Sequence, residues 1–185
     1  MKHITGFFTI AVLFASCGTY NNDYEIVQNS SEKVVEIEAH DDYDRLNYIN
    51  DFISSAGHVD FQPLHYTVTI PKGSKKIYII TNCVYLDYGN KEFIVIDGGF
   101  KGRKSTDSEF QLADIDVLEL ERKLSSYLND RGYNKSIIYR AKKNRITKIY
   151  QNESARILLF NIHKSNFEFY LKCLQSFEYY DNTHR

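Results

Sequence analysis

An α+β fold is predicted for this chain of 185 residues: a single domain with one mainly antiparallel sheet and about three helices, packed mainly on one face of the sheet. Three observations predict it. Strict alternation of apolar and polar residues over Leu64–Ile70, between Pro63 and Pro71, marks a strand whose side chains point to opposite faces. Apolar residues at i, i+3, i+4 spacing in three other stretches mark helices. The links between strand candidates are short, which favours antiparallel pairing, because a parallel pair needs a crossover of about a dozen residues.

The elements follow in order. Lys33–Ala39 alternates with Val35, Ile37 and Ala39 on one face and predicts a strand. Leu46, Ile49, Ile53 and Ala56, widened by Tyr48 and Phe52, fall at helical spacing, with Asp41 or Asp42 placed to cap the start and Gly57 the end. After the strand at Leu64–Ile70, Lys76–Asp97 reads as two strands joined at a Gly89-Asn90 turn. That turn sets Leu86 opposite Phe93 and Val84 opposite Val95, and the two apolar faces place the hairpin centrally in the sheet. Gly98–Leu112 is a long polar connection. Val117, Leu120, Leu124 and Leu128 predict a second helix, with Asp116 and Glu119 as a capping pair and Gly132 as the stop.

Three more strands are predicted at Ser136–Ala141, Arg145–Tyr150 and Ala155–Ile162. A last helix opens on Ser165 and Glu168 and carries Phe167, Tyr170, Leu171, Leu174 and Phe177 on one face, before a fraying end at Tyr179–Arg185. A helix followed by three strands thus occurs twice, with little residue identity between the two units.

The first residues have a different character. Lys2 is followed by the apolar run Ile4–Phe14 and by the small residues Ala15 and Ser16, the order of a secretory signal, and the run is too short for a spanning helix. Leu13-Phe14-Ala15-Ser16-Cys17-Gly18 resembles the lipobox of bacterial lipoproteins. The resemblance implies cleavage between Ser16 and Cys17 and lipidation of Cys17, with residues 1–16 as signal peptide. It further implies a protein exported and held by lipid at the bacterial envelope, most naturally the outer membrane on its periplasmic or surface face. Ordinary signal cleavage, and a first structural element at Ile4–Phe14, are the competing readings. Gly18 to about Ser31 is polar and rich in Asn, Ser and Tyr, and reads as a flexible tether of at most about 50 Å. Residues 32–185 then form the domain.

Composition narrows function more than it assigns it. With 43% hydrophobic and 15% aromatic residues the chain can bury a core, and 23 basic against 24 acidic residues leave no bulk attraction for nucleic acid. Beyond Cys17, only Cys83 and Cys173 remain, in neither metal nor redox spacing. Export would permit a disulfide between them, and their apolar settings read as buried thiols. Asp97-Gly98-Gly99-Phe100-Lys101-Gly102-Arg103-Lys104-Ser105 lacks the glycine directly before Lys-Ser that a phosphate-cradling loop needs. Lys101, Arg103 and Lys104 are kept as a candidate anion-binding loop. His40-Asp41-Asp42-Tyr43-Asp44 lacks the oxygen spacing of a calcium loop, and its aspartates, like Asp114 and Asp116, read as helix caps. No metal or cofactor is expected.

No Gly-x-Ser-x-Gly elbow is present, so His58 with Asp60, His65 and His163 are the candidates for a catalytic site assembled from distant residues. Among the fifteen tyrosines, Tyr179 and Tyr180 are the pair expected at the surface, where they could pack on a partner or stack on glycans. The leading expectation is a non-enzymatic, lipid-anchored protein-binding or accessory assembly module, including an inhibitor or immunity role, with the membrane and an envelope protein as partners. The alternative is a small envelope hydrolase or glycan-active enzyme, with a cleft lined by at least two of His58, His65, His163 and nearby carboxylates.

Overall fold

The computed structural model describes residues 25–28, 33–51, 54–56, 59–61, 63–80, 82–99, 108–139 and 143–180. It is an α+β structure built on two sheets rather than one. The larger sheet uses β1 (Glu25–Gln28), β7 (Lys76–Ile80), β8 (Cys83–Gly89), β9 (Glu92–Asp97), β10 (Gln111–Ala113), β11 (Arg145–Gln151) and β12 (Arg156–His163), in the order β1-β7-β8-β9-β12-β11-β10. All its pairs are antiparallel except β1 with β7. The smaller sheet joins β2 (Lys33–Ala39), β3 (Tyr43–Asn50), β6 (Leu64–Pro71) and β13 (Glu178–Tyr179) in the order β13-β6-β3-β2, all antiparallel. A short hairpin pairs β4 (Ser54–Ala56) with β5 (Val59–Phe61).

The sheets pack face to face. Leu46, Tyr48, Tyr66 and Val68 of the smaller sheet meet Ile77, Val84, Leu86, Ile94, Ile96 and Leu159 of the larger one in a continuous core. The opposite face of the larger sheet is covered by α1 (Val117–Asp130), whose Leu120, Leu124, Tyr127 and Leu128 pack on Tyr85, Phe93, Val95 and Phe160. Burying each such side chain is worth about 1.5–3 kcal/mol. Because both faces are covered, β8 and β9 are apolar on both sides, as expected for central strands. The third helix (α3, Phe167–Leu174) borders the core through Phe167, Tyr170 and Leu174, and lies against β6.

Several elements depart from the sequence-based expectation. The helix expected from Leu46 to Ala56 is instead β3, in unbroken register with β6 from Tyr43 opposite Pro71 to Asn50 opposite Leu64. Leu46 and Tyr48 enter the core between the sheets, while Ile49 is buried on the other face. A strand buried on both faces puts apolar residues at i and i+3, which imitates a helical stripe. Ile53, Phe52, Gly57 and His58 lie outside the described residues.

The strand expected at Ser136–Ala141 is a single helical turn, α2 (Ser136–Tyr139), started by Asn134 Oδ1, which accepts from Ser136 N–H at 2.8 Å. Four apolar residues carry no period that separates these outcomes.

Lys76–Asp97 holds three strands, because the chain reverses between Ile80 and Cys83. Its second turn is Asn90-Lys91, with φ of 51° and 66°, and not Gly89-Asn90. Together with a bulge between Asp87 and Gly89, this moves the register by one residue, to Leu86 opposite Ile94 and Val84 opposite Ile96. The expected connection at Gly98–Leu112 ends in strand β10, and Glu25–Gln28, within the expected tether, form β1. Tyr179 pairs in β13 where fraying was expected.

The cap and stop expected for α1 hold. Asp116 caps α1 by accepting from Glu119 N–H at 2.9 Å, and Gly132 follows its end with φ of 69°. Asn166, not Ser165, precedes α3, with no side-chain capping bond. No disulfide joins Cys83 and Cys173, and burial pushes the Cys173 thiol upward in pKa. Among the described residues no helix is long and apolar enough to cross a membrane.

Candidate binding surfaces

The start of α1 overhangs the larger sheet and leaves apolar side chains at the surface. Leu120 and Leu124 turn toward the sheet, so the helical repeat carries Leu118 outward, where it is 79% exposed beside the partly exposed Val117. Across from them α2 buries Ile138 and exposes Tyr139. Between the helices and the sheet lies a groove of about 290 Å³, floored by Leu120, Ile138 and Phe160. Its polar rim is Arg145, Thr147 and Asn161.

That rim is held firmly. Arg145 donates to the buried Glu92 carboxylate and, at 3.1 Å, to the Asn161 carbonyl. Asn161 sits in the left-handed region (φ 56°), with its N–H donating to Thr147 Oγ1 at 3.0 Å and its side-chain amide to the Lys91 carbonyl at 2.8 Å. An apolar floor beside a fixed cation suits the side chains of a protein partner.

A second depression, of about 430 Å³, opens at the far end of β10 and β11 and is polar. Gln111 and Gln151 face each other across the strands, with Glu109, Glu153 and Arg156 around them. Arg156 is engaged with Glu119 of α1, and the Asn152 carboxamide oxygen accepts from Ser154 and Ala155 N–H, which uses it as a turn former.

Of the histidine candidates, His65 and His163 are described, and they are not brought together. His65 is buried, with Nε2 2.6 Å from Asp51 Oδ1, and its Nδ1 has no hydrogen-bond partner. It neighbours Tyr66, whose ring lies against Gly98 at the end of β9. His163 lies at the opposite end of the molecule, opposite Arg145, with its Nδ1 2.7 Å from Ser165 Oγ. Among the described residues no histidine lines either depression. Among the described residues no group of three or more His, Cys, Asp or Glu is placed to hold a metal ion. Cys17, Ser16, Lys101, Arg103 and Lys104 lie outside the described residues.

The remaining candidates have structural roles. His40 stacks on Tyr43 at 4.7 Å, Asp44 is 3.6 Å from Lys72 Nζ, and Asp114 pairs with Lys148. Asp41 and Asp42 form the β2–β3 turn rather than a helix cap. Tyr179, expected at the surface, is half-buried and donates to the Gly98 carbonyl at 2.7 Å, while the ring of the half-buried Tyr180 lies 5.8 Å from that of His65. The groove residues Tyr139 and Arg145, and the exposed Leu118 beside the groove, were not apparent from the sequence. The one signal available was Leu118 standing off the apolar stripe of its helix.

No protein-family model matches this chain, and no curated protein or solved structure matches it either.

Proposed function

We propose that this chain is a lipid-anchored protein of the bacterial envelope whose two-sheet domain acts as a non-enzymatic binding or accessory assembly module, of which an inhibitor or immunity role is one form. The observation that carries the reading is Cys17, preceded by Leu13-Phe14-Ala15-Ser16 and by a short apolar run behind Lys2. Two or more acyl chains on that residue would hold the protein at a membrane without a spanning helix. The groove beside α1 supports the binding part, since exposed Leu118, Val117 and Tyr139 around an apolar floor are the kind of surface a partner covers.

The test is capture of partners from detergent-solubilised envelopes by the lipidated protein, in parallel with Leu118→Asp. Leu118 is too exposed to support the fold, so the variant should remain as stable as the parent, within about 0.5 kcal/mol. A reproducible partner that Leu118→Asp fails to retain is the expected result. Absence of any reproducible partner removes the binding reading, and equal capture by the variant removes the exposed start of α1 from it.

A further inference from the structure

The start of β1 and the lysine-bearing turns belong to the same end of the domain. Glu25 lies opposite Lys76 in a parallel pair, so the chain enters β1 where β7 begins. Lys76 is opposite Asp87, Gly89 opposite Glu92, Phe93 opposite Phe160, and Arg145 opposite His163. This register brings the turn before β7, the β8–β9 turn, the residues after β12 and those before β11 to that one end. Each supplies exposed lysine: Lys72 and Lys75, then Lys91, Lys164 and Lys143. The strands from β7 to β11 span about 20 Å at the usual spacing, so these lysines form a row across the sheet end.

Among the described residues, acids at this end pair with only one lysine of the row, Lys72. Asp87 is buried and accepts from Tyr127 and from Gly89 N–H, and Glu92 is engaged with Arg145. Asp44 lies 3.6 Å from Lys72 Nζ. The exposed acids Asp41 and Asp42 belong to the end of the smaller sheet, and Asp130 and Glu168 to the flanking helices.

We infer that this lysine row is a membrane-contact surface for anionic phospholipid headgroups; the inference rests on the lipid anchor proposed above. Cys17 precedes Glu25 by eight residues, which span at most about 28 Å when extended, roughly half the reach of a tether running to Ser31. The anchor therefore emerges beside the row and holds it close to the bilayer, where basic side chains act within a Debye length of about 8 Å. Acyl chains and a basic patch are the two complementary signals that fix a protein at an anionic surface.

The test is lysine footprinting of the full acylated protein in phosphatidylcholine vesicles with and without phosphatidylglycerol, read by acetylation and mass spectrometry. Lys72, Lys75, Lys91, Lys143 and Lys164 should react about fivefold more slowly when phosphatidylglycerol is present, with the protection lost at high salt. Lys33 and Lys148 should not change. Equal reactivity in both vesicles overturns the inference, as does protection confined to Lys101 and Lys104, which would move headgroup contact to that loop. Fatty-acid labelling of the same sample separates the two readings. An unlabelled Cys17 overturns the anchor and this inference with it, whereas labelled protein with no row-specific protection overturns the inference alone.

Discussion

Gly98→Ala tests the contact on which the two-sheet packing depends. Gly98 has no left-handed backbone to maintain, so its need is spatial. A Cβ there would lie 2.5 Å from Tyr66 Cε1 and 2.6 Å from Cδ1, about 1 Å inside ordinary contact. Tyr66 has nowhere to go: it is fully buried, its ring stacks on Tyr48 at 4.9 Å and meets Phe177 at 5.0 Å. Overpacking of this kind costs about 1–3 kcal/mol. Urea unfolding followed by circular dichroism should show a midpoint lower by about 1 M, with little change in slope. Gly99→Ala is the matched control, since its Cβ would meet the movable Leu64 Cδ2 at 3.1 Å and should cost far less. Adding Tyr66→Leu to Gly98→Ala should make the glycine change nearly neutral. A Gly98→Ala midpoint equal to that of the parent would refute the packing of β6 on the end of β9.

Two further predictions concern buried polar groups. Arg145→Met should cost about 3 kcal/mol in chemical denaturation, because it leaves Glu92 buried without its partner, and Arg145→Met with Glu92→Met should recover most of that loss; equal stabilities of parent and single variant would contradict the pairing. Burial raises the phenol pKa of Tyr66 and Tyr88 well above the ordinary value near 10 and that of Tyr170 to about 12. The folded state therefore retains protons that the unfolded chain releases, so stability is full below about pH 10 and falls as pH rises beyond it. Phenolate absorbance should show a fraction of the tyrosines titrating only with unfolding, and a single reversible titration of all of them near pH 10 would oppose this core.

The sequence was most legible where one physical signal dominated. Leu64–Ile70 alternates cleanly because one face meets the larger sheet, and α1 was readable because its stripe, Asp116 cap and Gly132 stop agree. It misled in β3, where Ile49 is buried on the second face only at the end of the strand. In β3 the residues Leu46 and Ile49 serve opposite faces, yet their spacing is that of one helical face. The bulge at Gly89 was equally invisible, since a turn of Gly89-Asn90 or Asn90-Lys91 satisfies the same local chemistry, and the sheet decides. Short strands such as β10, β13 and β1 have almost no pattern of their own and exist through their neighbours.

Binding surfaces were harder still. Val117, Tyr139 and Arg145 are separated by up to 28 positions in the chain and line one groove only after α2 folds back beside α1. His65 and His163 show the reverse: plausible together in a list of residues, they end at opposite ends of the strands. The lysine row depends on four separate connections aligned by strand register, which no local spacing encodes.

The most direct test of the central claim is metabolic labelling with a fatty acid in a bacterial host, comparing the parent with Cys17→Ala. The account predicts that the parent carries label and partitions with membranes, while Cys17→Ala loses the label. Equal labelling of the two proteins, or no label on either, would contradict it.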